Sequence, residues 1–183
     1  MGRTWHRGLL LQSQDHGKVI GNMSSAPYVV HEVTVAARPV AGVRGQVPRE
    51  RVGQEFGRYL DQVYAAGRAG AMHLDGQNIF IYREATEDQL TVDFCVGVKA
   101  PFDAVGAVVP LDTPHGVAAM TTHYGEYGRL GDANAAILEW CRAHDRQRAG
   151  PSWEVYGHWH AETARLRTDV YYLLDGHAPV RLL

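Results

Sequence analysis

Hydrophobic and polar residues alternate along two segments near the end of the chain, residues 153–160 and 167–174. Successive side chains of a β-strand point to opposite faces of the sheet, so this alternation predicts two half-buried strands. In the first segment Glu154 and Tyr156 are two residues apart and therefore share a face. The pattern places an acidic and an aromatic side chain next to each other on one strand.

The first half of the chain shows a mixed pattern of strand and helix. β-Branched residues accumulate over residues 28–45, and apolar residues then recur at helical spacing from Pro48 to Gly67. Proline is tolerated in the first turn of a helix, and glycine often follows the last turn. Strand-like runs over residues 79–82 and 90–98 complete the order strand, helix, strand, strand.

The second half repeats that order, with extended runs over residues 105–110 and 116–122, a helix, and the two strands described first. A slide of 74 positions superposes like residues of the two halves: Gly42 on Gly116, Val63 on Ile137, and Tyr82 on Tyr156. The same slide puts Phe80 opposite Glu154. Matching residues in a matching element order indicate an internal duplication.

These elements predict an α+β domain over residues 28–183, built from two similar units at about 28–100 and 101–175. A strand-helix-strand-strand unit cannot cover the apolar face of its sheet alone. We therefore expect the units to share one antiparallel or mixed sheet with both helices packed against it. A ligand cleft is expected where the units meet. Residues 1–27 are polar and lack periodicity, which predicts a flexible N-terminal extension.

Composition narrows the range of partners. The 183 residues carry a formal charge of −2 at pH 7, which gives no electrostatic reason to expect nucleic-acid binding. No apolar run is long enough to cross a membrane. Cys95 and Cys141 lie in apolar runs and are expected to be buried free thiols, as in a cytoplasmic protein. A monomer and a homodimer both remain open.

Ten histidines raise the question of a metal site. His158 and His160 would share one face of their predicted strand and could reach the same ion. No third ligand stands at a convincing spacing, and no histidine matches a haem motif. The sequence therefore predicts no metal and no cofactor.

Glu154 is the residue with the clearest candidate chemistry. A carboxylate enclosed by aromatic rings attracts an organic cation through its charge, and the ring faces add cation–π contacts. Burial would also raise its pKa, which suits a general base or acid. Its strand position alone does not distinguish a ligand-binding glutamate from one that faces solvent.

Three short pieces occur in an order typical of a known family: His123–Tyr127 before the second helix, Trp153–Tyr156, and Arg167–Tyr171. In this combination the chain resembles the GyrI-like small-molecule-binding superfamily across roughly residues 28–175. That superfamily includes the effector-binding domains of AraC-type and MerR-type multidrug regulators and the gyrase-inhibitory protein. The resemblance implies a duplicated α+β unit with a ligand cleft between its halves.

The resemblance also implies a set of binding residues. In family members that bind drugs, a glutamate on the strand before last lies at the floor of the cleft among tyrosines, and Glu154 matches it. The matching aromatic walls are Tyr82, Tyr124 or Tyr127, Tyr156, and Tyr171 or Tyr172, to which we add Phe80 from the repeat. Where the family often has Thr-Glu in the last strand, this chain has Thr168-Asp169, so the role of that carboxylate stays open.

Two functions fit these residues, and the sequence does not decide whether the chain is an enzyme. One is a stand-alone protein that sequesters or senses bulky aromatic or cationic drugs and toxins. The other, implied by a branch of the same superfamily, is hydrolysis of the cyclopropane ring of DNA-alkylating natural products. Glu154 would then be the general base, with Tyr124, Tyr156 or Tyr171 donating to the developing phenolate. Either function would serve antibiotic resistance, and regulation of a gyrase ranks third.

Overall fold

The structure is a computed structural model that describes residues 28–176. The extension predicted over residues 1–27 lies outside the described residues. The described part contains one eight-stranded sheet and two α-helices, so the fold is α+β, as the sequence predicted.

All strand pairs in the sheet are antiparallel. The strands are β1 (His31–Val35), β2 (Pro39–Pro48), β3 (Leu74–Ala85), β4 (Gln89–Val98), β5 (Val109–Asp112), β6 (Gly116–Tyr124), β7 (Arg148–Tyr156) and β8 (Arg167–Leu174). The helices are α1 (Val52–Arg68) and α2 (Leu130–Ala143), and a short 3-10 turn leads into each, at Arg49–Arg51 and Tyr127–Arg129.

The strand predicted to reach His160 ends earlier, at Tyr156. Its partner β8 begins at Arg167, and Tyr156 is already paired with Thr168. Beyond that point one more backbone hydrogen bond forms, in which the amide of Gly157 donates to the carbonyl of Arg167 at 2.8 Å. The chain then has no strand to pair with and leaves the sheet.

The strand order across the sheet is β1-β6-β8-β7-β3-β4-β2-β5. From the central pair β7–β3 outward, each strand of one unit is matched by the corresponding strand of the other. The first strands are exchanged: β1 pairs with β6 of the second unit, and β5 pairs with β2 of the first. The predicted run over residues 105–110 contributes only the start of β5, preceded by a bridge between Val105 and Val108.

The offset between the units is not constant along the chain. The first strands begin at residues 31 and 109, the 3-10 turns at 49 and 127, and the helices at 52 and 130, each 78 residues apart. β3 and β7 begin at residues 74 and 148, which are 74 apart. The difference arises because α2 has 14 residues and α1 has 17, and the turn after α2 is one residue shorter. A slide of 74 therefore aligns the third strands and misaligns the helices, so Val63 and Ile137 are not structural equivalents.

Both helices pack on the same face of the sheet, which we call the helix face. α1 lies on β2 and β4, and α2 lies on β6 and β8. Apolar residues recur along α1 at helical spacing, and those facing the sheet, Leu60, Val63 and Ala66, are buried. The central strands β3 and β7 are thus left between the helices. The opposite face, which we call the outer face, carries its own cluster around Ile79, Ile81 and Trp153.

Neither α1 nor α2 is long and apolar enough to cross a membrane.

Close packing of α1 on β2 depends on Gly45. A methyl group at this position would overlap the ring of Tyr59, which stacks on Phe94 with centroids 4.6 Å apart. We expect Gly45→Ala to destabilise the fold by about 1–3 kcal/mol, because the ring must leave its stacked position. In a thermal unfolding experiment this corresponds to a lower melting temperature, by roughly 2–4 °C per kcal/mol for a domain of this size.

Gly57 in α1 provides the matched control, since no atom lies within 4 Å of an added methyl group there. Gly57→Ala should stabilise the helix by about 0.5–1 kcal/mol. A Gly45→Ala protein that melts at or above the temperature of Gly57→Ala would contradict this account of the packing.

Candidate functional site

A cavity of about 740 Å³ lies on the helix face, between the N-terminal halves of the two helices and above β3 and β7. Its size is in the range of small-molecule pockets. Six aromatic residues line it: Phe56, Phe80, Tyr82, Tyr127, Tyr156 and Tyr172. The polar side chains in its lining include Arg49, Asn78, Asn134, Arg148, Ser152 and Glu154.

The pseudo-twofold axis of the duplicated fold passes through this cavity. Phe80 and Glu154 are paired across β3 and β7, and they are also the equivalent positions of the two units at the offset of 74. Only a pair on the axis satisfies both conditions. Eight further lining residues form four pairs of equivalent positions: Val52 and Leu130, Phe56 and Asn134, Asn78 and Ser152, and Tyr82 and Tyr156.

Glu154 lies at the centre of the cavity floor and is 5% exposed. Its Oε2 accepts hydrogen bonds from the hydroxyl groups of Tyr82 and Tyr156, at 2.8 and 2.6 Å. Tyr156 is two residues further along β7 and faces the same side, while Tyr82 is opposite Ser152 on β3. The alternation of side chains along β7 therefore positions the hydroxyl of Tyr156, and the pairing of β7 with β3 positions the hydroxyl of Tyr82.

Burial dominates the protonation equilibria in this cluster. It raises the pKa of Glu154, although the hydrogen bonds from Tyr156 and Tyr82 and the nearby amide of Asn134 act in the opposite direction. The pKa values of Tyr82 and Tyr156 lie well above the usual range, because burial and the charge of Glu154 disfavour their phenolates. Both tyrosines consequently remain neutral donors at physiological pH.

Aromatic rings form a continuous wall around this carboxylate. The ring of Phe80 contacts those of Tyr156 and Phe56, with centroid distances of 4.8 and 5.7 Å. Tyr127 meets Tyr156 edge to face at 5.5 Å. Offset and edge-to-face pairs of this kind hold rings in fixed orientations. The cavity thus offers flat apolar surfaces beside a single carboxylate.

The second helix contributes a polar contact that the sequence did not reveal. The hydroxyl of Tyr172 donates to Oδ1 of Asn134 at 2.9 Å, and Nδ2 of Asn134 donates to the carbonyl of Leu130 at 2.9 Å. These bonds fix the orientation of the amide above Glu154. Asn134 sits on the apolar side of α2 between Leu130 and Ile137, and a polar residue at that spacing was the available signal.

The structure brings together five of the residues predicted from the sequence: Glu154, Phe80, Tyr82, Tyr127 and Tyr156. Of the two pairs of alternatives, Tyr127 and Tyr172 line the cavity, and Tyr124 and Tyr171 do not.

Tyr124 and Tyr171 lie away from the cavity. Tyr171 is on the outer face, stacked on Trp153 at 4.9 Å, because its neighbour Tyr172 occupies the helix face. Tyr124 ends β6 and is 63% exposed. Asp169 also lies on the outer face, where it pairs with Arg167 at 3.0 Å.

Within residues 28–176, no group of three histidine, cysteine, aspartate or glutamate side chains is arranged to hold a metal ion. His158 and His160 lie beyond the end of β7, so the strand geometry that would align them is missing. Cys95 and Cys141 are buried free thiols, as expected.

A family model described as a GyrI-like small molecule binding domain matches residues 29–174. The C-terminal domain of EcmrR has a similar structure, with a TM-score of 0.68 at 18% identity over 82% of this chain and 99% of that chain. A hydrolase from Listeria innocua gives 0.57 at 12% over 80% and 91%. SAV2435 bound to tetraphenylphosphonium gives 0.54 at 8% over 81% and 94%. Identities this low show the fold alone, and no curated protein matches the sequence.

Replacement of Glu154 by glutamine tests the burial of its charge. Because the pKa of Glu154 is raised on folding, its contribution to stability is fully present below the unfolded pKa of about 4.3. That contribution is lost as the pH rises through the folded pKa. Glutamine keeps an oxygen that both tyrosines can reach and carries no charge. We expect Glu154→Gln to melt higher than wild type at neutral pH, by roughly 2–4 °C per kcal/mol, and the gap to close towards acidic pH.

The exposed glutamate of α2, Glu139, supplies the control. Glu139→Gln should change the melting temperature little at either pH. If Glu154→Gln gave no more stabilisation than Glu139→Gln at neutral pH, the account of a buried carboxylate destabilised by the loss of its hydration would be wrong.

Proposed function

The chain belongs to the GyrI-like small molecule binding domain family, and from the geometry of its cavity we propose that it captures bulky aromatic compounds. The compound would present a positive charge or an N–H group to Glu154. One observation carries the proposal: a buried carboxylate, held by two tyrosine hydroxyls, forms the floor of an aromatic cavity of about 740 Å³. Such a protein would sequester or sense a drug or toxin.

The energetic argument starts from the cost of burying Glu154. A carboxylate loses its hydration in this cavity, and two tyrosine hydroxyls replace only part of it. A cation placed beside the carboxylate interacts with it much more strongly than in water, because the local dielectric constant is low. The faces of Phe80, Tyr127 and Tyr156 add cation–π attraction of about 0.5–2 kcal/mol each. The free cavity is thus prepared for a positively charged aromatic ligand.

A protein of the same fold supports the choice of probe, since the structure of SAV2435 contains tetraphenylphosphonium, a bulky aromatic cation. We expect calorimetric titration of this cation into wild-type protein to show saturable binding. Glu154→Gln should weaken binding roughly ten- to a hundredfold, because an interaction with a charged group contributes about 1.5–3 kcal/mol.

Tyr171→Phe serves as the control for this titration. It removes a tyrosine hydroxyl of the same sequence region that lies on the outer face, so binding should be unchanged. Equal affinities of wild type and Glu154→Gln, or the absence of binding to wild type, would contradict the proposal.

A second candidate function is hydrolysis of a strained cyclopropane ring. The observation that favours it is the raised pKa of Glu154, which makes this carboxylate a stronger base than an exposed glutamate. A protein of the same fold is described as a hydrolase. Glu154 would take a proton from water while the water oxygen bonds to the ring methylene. The ring C–C bond breaks, and its electron pair passes into the conjugated carbonyl. Once Glu154 holds the proton, the hydroxyl of Tyr82 or Tyr156 turns from its carboxyl group and donates to the resulting phenolate.

Mass spectrometry distinguishes the two functions. If the second function holds, incubation of a cyclopropane-bearing alkylating natural product with the wild-type protein should give a product heavier by one water, and Glu154→Gln should give none. Because the base must be ionised, kcat/KM should fall as the pH drops through the raised pKa of Glu154, above the range of an ordinary glutamate. Binding without a water adduct would exclude this second function and leave the first intact.

A further inference from the structure

We propose that the ligand also carries an anionic group, and that Arg49 and Arg148 bind it at one end of the cavity. The inference rests on the proposed function, because it describes the other end of the same ligand. Both arginines line the cavity, and neither was singled out in the sequence.

The two arginines lie at the same end of the cavity. Arg49 contacts the turn between β3 and β4, where its backbone amide donates to the carbonyl of Asp88 at 3.0 Å. That turn follows the end of β3 at Ala85. Because β7 runs antiparallel to β3, with Ser152 opposite Tyr82, the end of β3 is next to the beginning of β7. Arg148 is the first residue of β7.

Arg49 is held in place by the turn. Its Nη2 donates to the carbonyl of Thr86 at 2.7 Å, and its Nε donates to the carbonyl of Glu87 at 3.3 Å. A guanidinium has five N–H donors, so these two bonds leave donors for a ligand. A positioned guanidinium loses little conformational freedom when it binds an anion.

The side chain of Arg148 is positioned by an aromatic ring. The centre of its guanidinium lies 5.9 Å from the ring centroid of Tyr172, which is itself fixed by the hydrogen bond to Asn134. Within residues 28–176, neither Arg148 nor Arg49 has a carboxylate within ion-pair distance. Most arginines of the described strands are paired, for example Arg44 and Arg83 with Asp93. The guanidinium groups of Arg49 and Arg148 therefore lie at one end of the cavity without a competing carboxylate among the described residues, and they are available to an anionic group of the ligand.

The duplicated fold makes the asymmetry informative. The position equivalent to Arg49 in the second unit is Tyr127, at the offset of 78, and the position equivalent to Arg148 in the first unit is Leu74, at the offset of 74. The opposite end of the cavity thus has Tyr127 where this end has Arg49, and Leu74, the equivalent of Arg148, is not among the residues that line the cavity. A cavity with equivalent ends would accept a ligand in either direction, whereas this one fixes its direction.

The charges of the lining residues also favour a ligand with both a cationic and an anionic group. Two arginines and one carboxylate line the cavity, so a ligand that carries only a cationic group satisfies Glu154 and leaves both guanidinium groups without a counter-ion. Arg148 and Glu154 are paired with Leu174 and Val170 of β8, which are four residues or roughly 13 Å of strand apart, so they contact different parts of a bound ligand. The complementary ligand is an elongated aromatic zwitterion, with its cationic group at Glu154 and its anionic group at the arginines.

Two xanthene dyes with the same ring system test this inference. Rhodamine B carries a cationic ring system and a carboxylate, and its ethyl ester lacks the anion. Wild-type protein should bind rhodamine B about tenfold more tightly than the ester, measured by fluorescence anisotropy. Arg148→Gln should abolish that preference, because it lowers the affinity for rhodamine B and leaves the affinity for the ester unchanged or slightly higher. Arg142→Gln, an equal change of charge at an exposed position of α2 outside the cavity, should keep the preference.

Equal binding of the two dyes by wild type, or a preference that persists in Arg148→Gln, would overturn this inference and leave the proposed function standing. Failure of both dyes and of tetraphenylphosphonium to bind would overturn the proposed function and this inference with it. Loss of the tenfold preference at high salt would support the inference that the arginines bind an anionic group, since ions screen a contact with exposed arginines.

Discussion

The antiparallel pairing of β3 with β7 is the constraint on which the site depends. It joins the two units at their equivalent third strands, so one pair, Phe80 and Glu154, lies on the pseudo-twofold axis. α1 lies over β2 and β4, and α2 lies over β6 and β8, so neither helix covers the central pair β3 and β7. The duplicated topology therefore produces the cavity, and divergence at a single pair of equivalent positions gives it a phenyl ring on one side and a carboxylate on the other.

The buried carboxylate connects binding with chemistry. Tyr82 and Tyr156 both donate to one oxygen of Glu154, and their own raised pKa values keep them protonated. In the proposed capture this arrangement would attract the cationic group of the ligand, and in the second proposed function it would accept a proton from water. The two proposals thus rely on one electrostatic arrangement and differ in the chemistry of the ligand.

Local periodicity predicted the element order, the shared face of Glu154 and Tyr156, and the duplication. It could not decide between Tyr171 and Tyr172, because β8 is partly buried on both faces and alternation alone does not say which face meets the helices. The pairing of Ser152 with Tyr172 decides it, and that register is a tertiary property. Phe56 and Asn134 escaped prediction for a related reason, since the side of a helix that borders a cavity depends on where the helix crosses the sheet.

The state of Glu154 in solution is the central claim, and carbon-13 NMR of its side-chain carboxyl group measures it directly. The account predicts a titration midpoint above the usual glutamate value of about 4.3 in the free protein. It also predicts that the midpoint moves down when an aromatic cation is bound, because the cation favours the ionised form. A midpoint in the ordinary range that does not respond to saturating cation would contradict the account.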